Sequence, residues 1–322
     1  MSGLEWRNVR DRLDEVSALM AVSWAENAEL PLDYSREFLT SCYEYPGKLP
    51  SSALGLYVGG RLVGFAGGLP RRFALAGREL DILLVTFLTV VPELKERGIG
   101  HFILVELLRW AKKAGYQGSV HFCVTGSKSN GVTQSALQAE GAPPAHIFDV
   151  QYLMAVPRAL PDLPPPTDAA APPLLVRGAA ALAPTQPFSR LWSAAEADWE
   201  CRTRLGAVSE VLEVGGRSGM LAGYVVGVAD QARTRCLFVE DVFWGTLEPA
   251  EQQELGRRLL ARAAAGGAKL AVVPLLGSAD VEPFKQIGFR LSPRLLHAYL
   301  GVWDGPGAPA GATMPSVYLE VL

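Results

Sequence analysis

The sequence is poor in cysteine and in long apolar runs, and it carries no excess of basic charge. Its four cysteines are widely spaced and include no CxxC pair, which favours buried free thiols in a reducing cytoplasm over disulfides. No apolar run reaches the ~18 residues of a membrane span, and the charged N-terminal segment lacks a signal-peptide core. A net charge of -3 argues against nucleic acid, because binding phosphates requires a basic face. We therefore expect a cytoplasmic globular protein without membrane, nucleic-acid or metal partners.

A proline-rich segment divides the chain of 322 residues into two parts of ordinary domain size. Residues 157–173 contain seven prolines and no periodic apolar face, so they are typical of an extended linker. The sequence predicts one domain over residues 1–156 and a second over residues 174–322.

The two parts share an order of predicted elements, which indicates an internal duplication. The tetrapeptide VGGR occurs at 58–61 and again at 214–217, each time between two apolar runs that predict a β-hairpin. A strand, a long helix and a further strand then follow, at 82–91, 98–114 and 119–125 in the first part and at 236–244, 250–264 and 269–276 in the second. Each part is thus predicted to be a mixed α/β domain with a mixed sheet.

The segment before the helix at 98–114 predicts an anion site. An apolar strand ends before Pro92, and Gly98 and Gly100 then precede a strongly apolar helix. Glycines allow backbone to approach a ligand closely, and the first amides of a helix attract negative charge. We therefore predict a pyrophosphate cradle here. It is neither a P-loop nor a dinucleotide fingerprint, since the sequence has no GxxxxGK[ST] and no GxGxxG with its acidic partner.

This segment resembles the signature of the GNAT superfamily of acyl-CoA-dependent N-acyltransferases. KERGIG (95–100) follows VVP (90–92), where the family has [RQ]xxGxG/A after a strand that ends in VxP, with Lys95 in place of Arg or Gln. The resemblance implies two tandem GNAT folds and acetyl-CoA or another acyl-CoA as co-substrate. The cofactor-binding residues that it implies are Leu88, Thr89, Val90, Lys95, Glu96, Arg97, Gly98, Ile99, Gly100, His101 and Asn130.

The usual catalytic residues of the family are absent. Leu84 stands where a Glu base is frequent, and Leu137 stands where a Tyr commonly protonates the departing thiolate. The catalytic candidates are His121, Thr89 and Tyr152. A histidine near the acyl carbonyl would have a pKa suited to proton transfer at neutral pH. Other candidate substitutes for the missing acid and base are Tyr57 and Glu26.

The second part is predicted to be a degenerate copy. Alignment of its helix places Glu254 and Gly256 where the first part has Gly98 and Gly100, and Glu251 where it has Lys95. Three carboxylates would then face the phosphates of CoA and should repel them. These acids are Glu248, Glu251 and Glu254. Glu240 occupies the strand position of the frequent general base, beside Asp241, and we interpret this pair as a bulged strand or surface ion pairs.

These observations lead to an expected activity with two alternatives. The resemblance favours an N-acetyltransferase that transfers its acyl group directly to an amine, of a small molecule or of a peptide. The acids Glu26, Glu29 and Asp33 in the loop between the first helices suit a cationic acceptor. The alternatives are a non-catalytic acyl-CoA-binding module and a GNAT-like acyl-CoA decarboxylase.

The sequence leaves homodimerisation open, and it predicts that the terminal VYLEVL (317–322) docks as a strand.

Overall fold

A computed structural model describes residues 3–24, 32–167, 169–228, 234–303 and 313–321. The chain forms two compact units. Unit 1 comprises Met1–Asp149 with Leu296–Met314, and unit 2 comprises Val150–Leu295 with Pro315–Val321. These units separate at Asp149, before the Pro-rich segment, and each takes a piece from the C-terminal part of the chain.

Unit 1 is a mixed sheet flanked by helices. Its helices are α1 (Leu13–Trp24), α2 (Arg36–Tyr43), α3 (Ile99–Lys113) and α4 (Ser129–Ala139). Its strands are β1 (Leu4–Asn8), β2 (Ser52–Val58), β3 (Arg61–Leu75), β4 (Arg78–Val90), β5 (Gly118–Val124), the start of β6 (Ala145–Ala155) and the end of β12 (Arg290–Val302). The strand order across the sheet is β1, β2, β3, β4, β5, β12. Neighbouring strands are antiparallel, except for the parallel pair β4 and β5.

The first predicted hairpin is confirmed. Gly59 and Gly60 connect β2 to β3 and have φ angles of 57° and 82°, a left-handed turn that matches the twist of paired strands. Strands β3 and β4 extend well beyond the predicted hairpin and strand, and they meet at a second turn of the same kind at Ala76 and Gly77.

Helix α3 packs close to the sheet because β3 has a glycine beneath it. A Cβ at Gly64 would lie 2.3 Å from Cδ1 of Ile103 on α3. A Cβ at Gly67 would instead lie 2.8 Å from the hydroxyl of Tyr43 on α2. Residues three apart on a strand face opposite sides, so α3 and α2 cover opposite faces of this sheet.

Unit 2 has the same order of central elements. Its helices are α5 (Ala171–Leu182), α6 (Ala194–Asp198), α7 (Pro249–Ala265) and α8 (Glu282–Gln286), with a π-helical turn at Trp199–Thr203. Its strands are β7 (Phe188–Leu191), β8 (Ala207–Val214), β9 (Arg217–Gly227), β10 (Arg235–Phe243), β11 (Ala268–Leu275), the end of β6 and the start of β12. Strands β10 and β11 are parallel, and the pairs β8–β9, β9–β10 and β11–β6 are antiparallel.

Four further features bear on the sequence predictions. Helix α5 begins at Ala171, inside the predicted linker. The segment 317–321 is buried in unit 2 but makes only two isolated bridges, at Val317 and Tyr318, so it docks without forming a regular strand. All four cysteines are free and buried. Among the described residues, no helix is both long enough and apolar enough to span a bilayer.

Candidate functional site

A bulge distorts β4 near its C-terminal end. Gly67 pairs with Thr86 and Phe65 pairs with Thr89, so β4 has one residue more than β3 over this stretch. The extra residue is accommodated at Phe87, whose φ of 61° is uncommon for a non-glycine residue. The buried hydroxyl of Thr89 donates a hydrogen bond to the Phe87 carbonyl over 2.9 Å and so stabilises the bulge.

Strands β4 and β5 separate next to this bulge. Their parallel pairing covers Ile82–Val85 and ends where Val85 faces His121. Beyond His121, β5 remains paired with β12, whereas β4 continues through the bulge to Val90 paired with β3 alone. Alternate residues of β4 therefore direct their backbone N–H and C=O groups towards a side that has no strand. Leu88, Thr89 and Val90, which the resemblance assigns to the pantetheine arm, lie in this stretch.

The N-terminus of α3 follows directly and is not capped by a side chain. The connection passes through a 3₁₀ turn at Pro92–Leu94, and Glu96 and Gly98 adopt φ angles of 66° and 77°. No described acceptor binds the amides of Gly98, Ile99, Gly100 and His101. A Cβ at Gly98 would have no neighbour within 4 Å, so the space before the helix is open. The arrangement suits an oxyanion such as a pyrophosphate.

The charged side chains around this turn differ in their availability. Lys95 donates to the carbonyl of Ser23 over 2.9 Å, so it fastens the turn to the end of α1. Glu96 forms an exposed ion pair with Lys128. The exposed Arg97 side chain has no partner among the described residues, which makes it the better placed cation for a phosphate.

His101 and Asn130 connect this region to α4. The His101 ring lies 3.0 Å from the hydroxyl of Ser135 on α4. Asn130 lies in the first turn of α4, as predicted, and its amide donates to the carbonyls of Val124 and Ser127. Its Oδ1 is buried and has no partner within the described residues, so it can accept a hydrogen bond from a ligand.

His121 is enclosed within unit 1. Its Nε2 lies 2.8 Å from the hydroxyl of Ser119, and its side chain is buried. Burial lowers the pKa of His121 to about 3, which keeps the ring neutral at physiological pH. A catalytic role for His121 therefore stays a prediction that this burial does not favour.

The other catalytic candidates are dispersed. Tyr152 belongs to unit 2, where it lies opposite Pro274 in the pairing of β6 with β11. The hydroxyl of Tyr57 donates to the Glu15 carboxylate over 2.7 Å. Asp33 is exposed, and Glu26 and Glu29 lie outside the described residues.

The positions of the missing acid and base belong to the hydrophobic core. Leu84 is 1% exposed and Leu137 is fully buried. Neither leucine side chain can deliver or accept a proton.

The corresponding helix of unit 2 is capped by its own side chains. The Glu248 carboxylate accepts from the Glu251 amide, and the Glu251 carboxylate accepts from the Glu248 amide over 2.8 Å. A bidentate contact with Arg217 and the bond from the Glu248 amide lower the pKa of Glu251 to about 2. Glu254 pairs instead with Arg258 along the helix. The amides of Glu248 and Glu251 are therefore already hydrogen-bonded, in addition to the predicted repulsion between these carboxylates and phosphates.

Unit 2 also has a bulge at the equivalent strand, and it carries acids. Val239 pairs with Gly223 and Asp241 with Ala222, which leaves Glu240 as the extra residue. The predicted bulge is confirmed, but the predicted surface location is wrong, because Glu240 and Asp241 are 5% and 2% exposed. The acidic pair faces the interior of its unit.

These acids belong to a buried network that we call the unit 2 acid cluster. It contains Glu200, Glu240, Asp241 and Glu320 with Arg190 and Arg204. Arg204 binds both oxygens of Glu200 at 2.9 and 3.0 Å, and Arg190 binds Glu320 at 2.5 Å. Burial and the nearby Glu320 raise the pKa of Glu240 to about 8. Burial and Glu200 raise the pKa of Asp241 as well.

Sequence reasoning missed the bulge at Phe87 and the internal bond of Thr89. Residues 86–89 (TFLT) contain no glycine or proline, the residues that usually indicate an irregular strand. The bulge is visible only in the register of β4 against β3. Reasoning from the sequence did identify the glycine turn, since its residue types are themselves unusual before a helix.

Comparisons with known proteins point to the same part of the chain. Residues 1–126 match the family model described as "Myristoyl-CoA:protein N-myristoyltransferase, N-terminal domain". A curated relative, glycylpeptide N-tetradecanoyltransferase of Dictyostelium discoideum, is 28% identical over 106 residues. The match covers 32% of this chain and 26% of the relative, so this chain spans about a quarter of that protein.

Solved structures match nearly the whole chain. N-myristoyltransferase of Saccharomyces cerevisiae with bound myristoyl-CoA superposes with a TM-score of 0.71 at 14% identity, over 94% of this chain and 83% of that chain. A second structure of the yeast enzyme, with myristoyl-CoA and inhibitors, gives the same TM-score over 80% of that chain. The predicted fold of two tandem GNAT-like units is thereby confirmed. The names of these proteins specify a myristoyl group, so they do not support the acetyl group expected from the sequence.

Proposed function

We propose that this protein is an acyl-CoA-dependent N-acyltransferase that uses a long-chain acyl-CoA such as myristoyl-CoA. The observation that carries the proposal is the presence of two stretches of open backbone in unit 1, one beside the bulge of β4 and one at the first turn of α3. Both stretches lie within residues 1–126, which match the N-myristoyltransferase model. The pantetheine arm would bind along Leu88–Val90, and the pyrophosphate would bind the amides of Gly98–His101.

The acceptor that we propose is the N-terminal amine of a peptide. Support comes from the glycylpeptide named for the Dictyostelium discoideum relative. The amine nitrogen attacks the thioester carbonyl carbon, and negative charge develops on the carbonyl oxygen. Backbone amides held by the bulge are fixed donors for that charge. The C–S bond then breaks and CoA leaves as a thiolate. The extra proton of the new amide nitrogen passes to solvent water or to this thiolate.

The cradle can be tested by placing a charge at Gly100. A Cβ there meets nothing closer than Val90 Cγ2 at 3.8 Å, so Gly100→Glu and Gly100→Gln should both fold. The two variants have the same shape, but only Glu places a negative charge beside the pyrophosphate. We expect Gly100→Glu to weaken myristoyl-CoA binding by about 10-fold or more relative to Gly100→Gln, measured by calorimetry. Equal affinities for the two variants would contradict the proposed cradle.

The acyl chain and the reaction can be tested with the wild-type protein. We expect myristoyl-CoA to bind more tightly than acetyl-CoA, because each buried methylene contributes about 0.8 kcal/mol. Incubation with a peptide that has an N-terminal glycine should release free thiol and an acylated peptide detectable by mass spectrometry. An N-acetylated copy of the peptide is the matched control and should not react.

A second candidate function is a non-catalytic acyl-CoA-binding module. The burial of Leu84 and Leu137 favours it, since both usual proton-transfer positions are apolar. This alternative predicts myristoyl-CoA binding that Gly100→Glu weakens, with no thiol release for any peptide amine. The transfer assay therefore separates the two functions while the calorimetry tests the site that they share.

A further inference from the structure

Two of the four histidines of the chain converge on one carboxylate in unit 1. His146 and Asp149 lie on β6, and His297 lies on β12. Nε2 of His146 is 2.7 Å from Oδ1 of Asp149, and Nδ1 of His297 is 2.6 Å from the same oxygen. The candidate ligand atoms of the three residues all lie within 4.8 Å of one another.

The rings are held in this orientation by their packing. The His146 ring contacts the His297 ring edge to face, with centroids 4.8 Å apart and an interplanar angle of 85°. His146 also packs against Tyr299, at 5.4 Å between centroids. The Tyr299 hydroxyl accepts a hydrogen bond from Gln134 on α4 over 3.1 Å. One nitrogen of each ring is therefore held against the same oxygen of Asp149.

We propose that His146, Asp149 and His297 form a binding site for a divalent transition-metal ion, with Zn²⁺ as the ion that the donor set fits best. Two imidazole nitrogens and one carboxylate oxygen are typical of zinc sites with three protein ligands and an open fourth position. Tetrahedral ligands of zinc lie about 3.3 Å apart, given bond lengths of about 2.0 to 2.1 Å. The two nitrogen–oxygen pairs would need to open by about 0.6 and 0.7 Å, a movement that small side-chain rotations provide.

The electrostatics of the cluster agree with cation binding. Burial raises the pKa of the Asp149 carboxyl, but the hydrogen bonds and charges of His297 and His146 outweigh it, so the pKa is lowered overall. The carboxylate is therefore ionised at neutral pH. To bind a metal ion, each ring must present a nitrogen lone pair, so a neutral ring would carry its proton on the other nitrogen.

A metal ion here would connect segments that are far apart in the sequence. Asp149 and His297 are separated by 148 residues, and both belong to unit 1. Because the unfolded chain holds these ligands far apart, metal binding should stabilise the folded state. The site is partly exposed, with side-chain accessibilities of 33%, 46% and 22% for His146, Asp149 and His297, so an ion can enter without unfolding.

The test is calorimetric titration of ZnCl₂ into full-length protein stripped with EDTA, followed by thermal unfolding with and without Zn²⁺. We expect one equivalent to bind and the melting temperature to rise, and EDTA to reverse both effects. His146→Ala and His297→Ala should each weaken binding by about 10-fold or more and remove the thermal shift. His101→Ala is the matched control, since it removes a histidine outside the cluster and should leave binding unchanged.

His297→Gln provides a variant that keeps a polar side chain in place if alanine unfolds the strand. Circular dichroism of each metal-free variant shows whether it has folded. The proposal is overturned if wild type binds no Zn²⁺, or if folded His146→Ala or His297→Gln binds it as tightly as wild type.

Discussion

The two units have the same order of central elements, a bulged strand followed by a helix, but differ in what occupies the ends of those elements. In unit 1 the bulge at Phe87 leaves backbone groups open, and α3 begins with glycines and no side-chain cap. In unit 2 the bulge carries the buried Glu240, and α7 begins with the reciprocal caps of Glu248 and Glu251.

This difference shows how a shared fold can keep or lose a ligand site. The orphan amides of a helix start are satisfied either by a ligand or by side chains of the protein. In unit 1 these amides have no described acceptor and are available to the proposed ligand, whereas in unit 2 carboxylates accept from them and would also repel phosphate. Unit 2 has internal polar contacts at the position where unit 1 has open amides.

The largest expected effect is on the unit 2 acid cluster. Arg204→Met would leave the fully buried Glu200 without its bidentate partner. Loss of one partner of a buried ion pair typically costs about 3–5 kcal/mol. Arg202→Met is the matched control, because Arg202 also pairs with an acid four residues earlier but is 42% exposed. Urea unfolding should show a large shift for Arg204→Met and almost none for Arg202→Met. Similar shifts would contradict the importance of burial.

A second expected effect is a pH dependence of stability that belongs to unit 2. Glu240 has a pKa raised to about 8 when folded, by burial and then by the neighbouring Glu320, while Arg204 opposes this. Since the folded state holds a proton that the unfolded state has already lost, stability should fall as the pH rises from about 5 to 8.

Glu240→Gln should flatten this slope by an amount on the order of a few kcal/mol. The exposed Glu213→Gln is the control and should keep the slope. Urea midpoints at several pH values provide the measurement, and an unchanged slope in Glu240→Gln would show that other groups cause it.

A third effect, of moderate size, should be confined to the bulge of unit 1. Thr89→Val removes the hydroxyl that donates to the Phe87 carbonyl and leaves a buried acceptor unsatisfied. We expect a loss of about 1–3 kcal/mol of stability. Myristoyl-CoA binding should weaken as well, because the bulge residues would no longer be fixed. Thr89→Ser keeps the hydroxyl and should resemble wild type in both assays, whereas a Ser variant as weak as Val would assign the effect to packing.

The smallest expected effect concerns the caps of α7. Glu251→Gln removes the charge that pairs with Arg217 but keeps an acceptor for the Glu248 amide. We expect a small decrease in the urea midpoint, well below that of Arg204→Met. In a protein that also carries Gly100→Glu, unit 2 should not bind myristoyl-CoA in place of the weakened site of unit 1. The reason is that the amides at the start of α7 remain hydrogen-bonded to side chains. Restored binding in that background would break the contrast between the two units.

Local patterns made the elements predictable. Paired glycines marked the hairpin turn at Gly59 and Gly60, and the apolar helix after Gly100 was placed within a residue of its observed start. Such signals depend on neighbouring residues and on intrinsic backbone preferences, so they are readable without a fold. The adjacent acids Glu240 and Asp241 were likewise identified from the sequence. Their burial could not be predicted, because the exposure of a side chain depends on which distant segments cover it.

The sequence by itself determined the duplicated order of strands and helices, the glycine-rich start of α3 and the carboxylates that replace it at α7. Only the tertiary structure decided that β4 bulges at Phe87, that Lys95 binds a carbonyl on α1, and that His146 and His297 meet at Asp149. The reason is physical: propensity and capping act between residues a few positions apart, whereas strand register and side-chain encounters depend on segments that folding alone brings together.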